Sequence, residues 1–201
     1  MGARIRLATG SDAAAIADLY RPIVESTFIS FETEPPDEDE MRRRIADTLR
    51  WYPWLVYEVG GTVTAYAYAA RHRTRAAYQW SVDTSVYVHP DARRSGVGRG
   101  LYGTLFGILA EQGYVTANAG IALPNPASVA LHEAVGFVPI GIYRNIGYKL
   151  GEWHDVGWWQ RALKRCDLWP RRPLELRLIQ QRGDWEALLA RGLSAIRGTI
   201  G

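Results

Sequence analysis

The 201-residue chain contains a single cysteine, Cys166, which excludes an intrachain disulfide and any cysteine-based metal cluster. No set of His, Asp and Glu has metal-ligand spacing either, so no metal is expected. Gly, Pro, Arg or Glu interrupt every apolar run well short of the roughly 20 residues that a membrane span needs, and the opening MGARIRLATGSD has no apolar signal-peptide core. The expectation is a cytoplasmic protein with no membrane partner. A basic body is also missing. Met1 to Leu163 carries 16 basic and 17 acidic residues, and the remainder 8 and 4, so the net charge of +3 sits in the tail. A surface that tracks phosphates shows as a basic face of the folded domain; nucleic acid is therefore not an expected partner.

What is present is the composition of a folded globular chain, 47% hydrophobic and 22% charged, without internal repeats. IRLA predicts a strand. TGSDAAAIADLYRPIVES predicts a helix with a Thr9/Asp12 capping box and Ile16, Leu19, Ile23 and Val24 on one face. A loop around Phe31 and an acidic cluster precede a second helix carrying Ile45 and Leu49. PWLVYEV and TVTAYAYAAR, joined at Gly60-Gly61, read as a hairpin, and AYQWSVDTSVYVHP as the next strand. RGLYGTLFGILAEQG stripes Leu101, Leu105, Ile108 and Leu109 along a helix that stops at Gly113. A strand, a short helix closed by Gly136 and two final strands complete the order β-α-α-β-β-β-α-β-α-β-β. An α/β fold with a mixed central sheet flanked by helices follows, with one domain over residues 1–165. Residues 166–201 form an extension, rich in Pro and Arg, whose DWEALLARGLSAIRG predicts a helix capped by Asp184 and packed on the body or on a second subunit.

The strand SVYV runs into RRSGVGRG, where Gly96, Gly98 and Gly100 precede a helix. Such a turn is either a tight bend with solvated arginines or an anion site. In the second case, backbone N–H groups and the helix dipole accept a diphosphate that Arg93, Arg94 and Arg99 contact. The glycines do not give the dinucleotide fingerprint, and no Lys-Ser/Thr follows them as in a nucleotide-hydrolysing loop.

The spacing of Arg93, Gly96 and Gly98 instead resembles the R/Q-x-x-G-x-G/A signature of the GNAT N-acetyltransferases, and NPASVALHEAVGF resembles that family's second cofactor segment through Asn125, Gly136 and Phe137. Over residues 3 to 163 the strings FETEP, AYQWSVDTSVYV, LPNPASVALHEAVGF and GYKLGEWHDVGWWQ look like the subgroup that acetylates phosphinothricin and methionine sulfoximine. The resemblance implies a GNAT fold and acetyl-CoA as cofactor. The cofactor would be held by Val86 and Val88 backbone, by Arg93, Arg94, Ser95, Gly96, Val97, Gly98 and Arg99, and by Asn125 and Ser128. It also implies a small amino-acid-analogue acceptor and a homodimer.

Acetyl transfer needs a neutral amine, donors for an oxyanion and a proton for the leaving thiolate. By resemblance Asp83 stands where the subgroup has a catalytic glutamate; one methylene shorter, it reaches the amine directly or through a water, or else it only satisfies backbone amides. His132 is the matching acid or base, and Tyr87 an alternative donor. Arg73 and Arg75, at i and i+2 on an extended segment, would clamp the acidic groups of a glutamate-like substrate, with Phe31, Tyr68, Tyr78 and Ser85 lining the pocket; the alternative for the arginines is a solvated hairpin end. Arg73 departs from a lysine in relatives. His72, His89, His154 and Asp155 are expected to be structural. Two other readings stay open: acetylation of a protein N-terminus or polyamine, and a non-catalytic acyl-CoA-binding module.

Overall fold

The structure, a computed structural model, describes residues 2–197; the last four residues of the extension lie outside the described residues. Seven strands form one sheet in the order β1-β2-β3-β4-β5-β7-β6: β1 Arg4–Leu7, β2 Trp54–Val59, β3 Thr62–Arg71, β4 Ser81–Val88, β5 Thr116–Leu123, β6 Val138–Lys149 and β7 Glu152–Ala162. The helices are α1 Ala13–Ser26, α2 Glu38–Leu49, α3 Val97–Gln112, α4 Pro126–Ala134, α5 Leu176–Gln180 and α6 Trp185–Ala190. The element order read from the sequence is the observed one. In the extension two short helices stand where one was expected, and Asp184 precedes α6 without a side-chain cap bond.

Side-chain alternation divides the core. Leu55 and Tyr57 of β2 and Ala65, Ala67 and Ala69 of β3 pack with the α3 stripe, the small alanines allowing the helix to lie close. Trp54, Val56 and Tyr66 point the other way, against Ile16 and Leu19 of α1 and Met41 and Ile45 of α2. Each sheet face thus has its own helix layer, as a sheet with two apolar faces requires.

The β1 end is fixed by Arg6. Its guanidinium bonds Asp12 at 2.7 and 2.8 Å and Glu58 at 2.6 Å, while Asp12 also accepts from the Thr9 N–H at 2.7 Å. The capping-box pair therefore ties the start of α1 to the sheet. Burial alone would raise the Asp12 carboxyl; the bonds from Arg6 and Thr9 outweigh it and hold the group below its ordinary value. Glu58 is lowered chiefly by Arg6.

The extension belongs to the α3 layer. Leu176, Ile179, Leu188 and Leu189 are buried in the same cluster as Leu101 and Leu105, and Gln112 of α3 donates to the Leu174 carbonyl at 2.9 Å. Gly100 permits this approach, since a Cβ there would stand 2.7 Å from the Gly192 carbonyl oxygen.

Two outcomes follow from these contacts. Ile179→Ala empties a fully buried site and should cost about 2–5 kcal/mol; urea unfolding should remain one transition, because the extension and body share a core. Arg6→Gln should lower Tm clearly at pH 7 and much less near pH 3. A lowered folded carboxyl pKa gives stability that is present above the unfolded pKa and lost as pH falls through the folded one, so thermal unfolding by circular dichroism at both pH values checks it.

Candidate functional site

β4 and β5 are paired in parallel only over Ser81–Thr116, Val82–Ala117 and Asp83–Asn118, yet β4 continues to Val88 and β5 to Leu123. Beyond Asp83 the strands part. Thr84 Oγ1 donates to the Asn118 carbonyl at 3.2 Å at the apex, and Asn118 Nδ2 donates to the Val82 carbonyl at 3.0 Å. The facing edges further out carry backbone donors and acceptors that need partners from elsewhere, so an extended ligand with amides of its own fits between them.

The glycine turn lies at the open end of this gap. Gly96 is left-handed, at φ 90°, and starts α3; Arg94 is left-handed as well, at φ 62°. Ser95 Oγ donates to the Ala92 carbonyl at 2.7 Å and Arg93 Nε to the Val88 carbonyl at 3.3 Å, bracing the bend. Among the described residues, no turn carbonyl accepts from the N–H groups of Val97, Gly98 or Arg99, so three donors remain at the helix start for an anion. The glycines divide their work in a way the sequence did not indicate. A Cβ on Gly98 would press on Leu131 of α4 at 2.9 Å, whereas Gly96 and Gly100 face the extension, at Ala195 and Gly192. Arg197 N donates to the Ser95 carbonyl at 2.8 Å, and a cavity of about 380 Å3 lies beside this crossing, lined in part by His89, Ser95, Val97 and Arg197. Asn125 starts α4 and accepts from the Ser128 N–H at 3.2 Å, leaving its amide NH2 free to donate. These groups suit a diphosphate and the amide-bearing arm of coenzyme A.

The register of β3 against β4 sets Tyr66 opposite Tyr87, Tyr68 opposite Ser85 and Ala70 opposite Asp83. Asp83, Ser85, Tyr87 and Tyr68 therefore share the α1/α2 face of the sheet, while Val86 and Val88 face α3. Tyr87 meets Tyr20 edge-on at 5.1 Å, and burial raises its hydroxyl pKa well above the usual value. A cavity of about 310 Å3 on this face is lined by Tyr20, Glu32, Arg44, Trp54, Tyr66 and Tyr68 among others.

Asp83 does not stand alone. His72 Nδ1 lies 2.7 Å from Asp83 Oδ1, a contact that the sequence analysis did not anticipate. Burial raises the Asp83 pKa, and the bond to His72 and the nearby charge of Arg73 oppose that rise. The hairpin places position 72 just past the end of β3 and level with the start of β4, a proximity the sequence register already contained.

His132, on α4, is buried with both nitrogens engaged. Nδ1 lies 2.8 Å from the Ser128 carbonyl, which can only accept, so Nδ1 carries the proton; Nε2 accepts from the Tyr102 hydroxyl at 2.8 Å. Burial lowers the ring's pKa, the bond to Ser128 opposing it. The sequence offers the imidazole itself as acid or base; in the structure its Nε2 meets the Tyr102 hydroxyl of α3, a fully buried side chain that the sequence analysis did not single out.

Arg73 and Arg75 are exposed and lie beyond Arg71, the last residue of β3, in a bend leading to a 3-10 turn at Ala76–Tyr78. The alternation of an extended segment therefore does not align them, and the expectation of parallel side chains is corrected. The charge of Arg73 acts on Asp83, opposing the rise that burial causes. Tyr78 meets the His72 ring edge-on at 5.9 Å. Phe31 sits in the loop after α1, which β6 and β7 hold: Lys149 Nζ donates to the carbonyls of Val24 at 2.5 Å and Ser30 at 2.7 Å. The His154 ring stacks on Phe28 at 4.3 Å and bonds the Lys149 carbonyl at 3.0 Å. The string GYKLGEWHD, which no step of the chemistry needs, thus anchors the Phe31 loop.

The acetyltransferase (GNAT) domain family matches residues 5–158. The phosphinothricin N-acetyltransferase of Streptomyces viridochromogenes is 43% identical over 78% of this chain and 86% of that protein. The L-methionine sulfoximine/L-methionine sulfone acetyltransferase of Salmonella typhimurium is 34% identical over 79% of this chain and 94% of that protein. The solved GNAT phosphinothricin acetyltransferase of Sinorhizobium meliloti, in complex with acetyl-CoA, superposes with a TM-score of 0.80 at 35% identity, covering 85% of this chain and 94% of that one. The parted β4 and β5, the glycine turn at the start of α3 and these similarities agree: the chain belongs to the GNAT acetyltransferase family.

Proposed function

We propose that the protein transfers the acetyl group of acetyl-CoA to the α-amino group of phosphinothricin, methionine sulfoximine or a related glutamate analogue. The observation that carries this reading is Asp83, a partly buried carboxylate at the point where β4 and β5 part, with Arg73 beside it. The relatives' printed substrates support the acceptor class. Coenzyme A would lie on the turn from Arg93 to Arg99 and along the open edge of β4, with Asn125 and Ser128 at its arm, and the bound thioester supplies the acyl group. Val86 and Val88 offer backbone N–H groups toward its carbonyl.

Asp83 draws the proton from the ammonium so that the amine can attack. The Asp side chain is short for direct contact, so a bridging group stands between carboxylate and amine. On the leaving-group side Tyr87 offers a hydroxyl near the gap, and His132, whose Nε2 accepts from Tyr102 and whose proton is bonded to the Ser128 carbonyl, positions the Tyr102 side of the pocket. The guanidinium groups of Arg73 and Arg75 receive the carboxylate and the tetrahedral head of the acceptor, and Phe31, Tyr68, Tyr78 and Ser85 bound its side chain. Acetylating such an analogue removes the free amine by which it mimics glutamate, and resistance in a cytoplasm that supplies acetyl-CoA is the biological sense. No helix among the described residues is long and apolar enough to cross a membrane.

The proposed assembly is a homodimer through β6. This edge strand exposes Val138, Ile140, Ile142, Ile146 and Tyr148, a row that an unpaired edge leaves open to a second copy.

Thiol release from acetyl-CoA should saturate with L-phosphinothricin, methionine sulfoximine or methionine sulfone and be absent with spermidine or a peptide; the reverse pattern refutes the acceptor class. Lys149→Met should raise the acceptor KM several-fold and leave the acetyl-CoA KM unchanged, because it frees the Phe31 loop without touching the glycine turn; steady-state kinetics in both substrates decide this.

A further inference from the structure

We propose that the bridging group is His72: its Nε2 takes the proton from the substrate ammonium, while Asp83 holds the ring. This deepens the reading above and rests on it, because it concerns the basic side of the same site.

The geometry is that of an oriented imidazole. A carboxylate oxygen 2.7 Å from Nδ1 accepts a hydrogen bond and so places the ring proton on Nδ1, leaving the Nε2 lone pair free. Among the described residues no hydrogen bond engages Nε2, and Nε2 is not one of the buried atoms that lack a partner; solvent therefore reaches it. The His72 side chain is 17% exposed and that of Asp83 34%, so the pair sits at a surface that a small substrate can cover. Tyr78 lies edge-on to the ring on one side and Trp158 of β7 at 6.2 Å on another, which fixes the ring plane. Among the described residues the buried Trp158 indole N–H has no partner, a donor beside the position where an acidic substrate would lie. Among the described residues, the charged and titratable groups beside the pair are Asp83 from β4, which bonds the ring, Tyr78 from the 3-10 turn, which meets it edge-on, and Arg73, whose charge acts on Asp83.

The pair also answers a problem of length. The imidazole extends the reach of Asp83, and the carboxylate stabilises the imidazolium that forms. The steps balance. The ammonium N–H bond breaks and its proton joins Nε2; the neutral amine attacks the thioester carbon, forming C–N. The C–S bond then breaks, and the Tyr87 hydroxyl passes the second amine proton on, giving its own proton to the thiolate and taking the one on nitrogen. The proton on His72 returns to solvent when product leaves.

Asparagine separates this role from a merely structural one, since its amide NH2 replaces Nδ1–H toward Asp83 but cannot take a proton. In the full-length protein His72→Asn should lower kcat about 100-fold or more with the acetyl-CoA KM unchanged, and imidazole in the buffer should partly restore His72→Ala. Activity of His72→Asn within threefold of the parent while Asp83→Ala is inactive would overturn the assignment and leave a water as the bridge. Full activity in both variants would refute the basic side of the proposed function itself. If the parent turns over none of the tested acceptors, the acceptor reading fails, and 15N spectra of the histidines decide the inference alone. A neutral His72 protonated on Nδ1 supports it, and an Nε2–H tautomer sinks it.

Discussion

Three residue pairs of parallel strand, ending at Asp83 and Asn118, hold the two parts of the sheet together, and the placing of every candidate group depends on where that pairing stops. Were β4 and β5 zipped to their ends, their amides would satisfy each other and leave no slot for an extended cofactor. Because they part, the carboxylate of Asp83 stands at the apex of the slot, the glycine turn at its mouth and Tyr102 on the helix beneath. Asn118 maintains the apex with a side-chain bond to Val82.

Around that apex the two sheet faces divide the labour. The α1/α2 face carries Asp83, Ser85 and Tyr87 from one strand and Tyr68 from its neighbour, so period-2 alternation gathers the groups proposed to meet the acceptor. The α3 face carries His132, Tyr102 and the turn. Two further contacts steady this arrangement from a distance. Lys149 spends its charge on the carbonyls of Val24 and Ser30, fixing the Phe31 loop, and the extension folds back on α3 through Gly100 and Gly192, where any side chain would collide with backbone.

Much of this was legible in the chain. Helix stripes, the capping box at Thr9 and Asp12, the Gly60-Gly61 hairpin and the helix stop at Gly113 are local rules, and local rules hold when nothing tertiary opposes them. The site was legible in part: Asp83, Ser85, Tyr87 and Tyr68 meet because strand register is itself a local consequence. The sequence is silent where a distant partner holds a side chain. His72 bonds Asp83, Tyr102 bonds His132, and Lys149 bonds carbonyls more than a hundred residues away; Arg73 and Arg75 do not align because β3 ends at Arg71.

The sequence by itself determined the element order, the two amphipathic layers and a glycine turn at the start of a helix, since each follows from periodicity, capping and the conformational freedom of glycine. Only the tertiary structure decided which nitrogen of which histidine faces which oxygen, how early β4 and β5 separate, and that two of the three glycines serve the extension. Those outcomes depend on side-chain packing across separate elements, and a free energy shared between distant positions leaves no periodic mark on either.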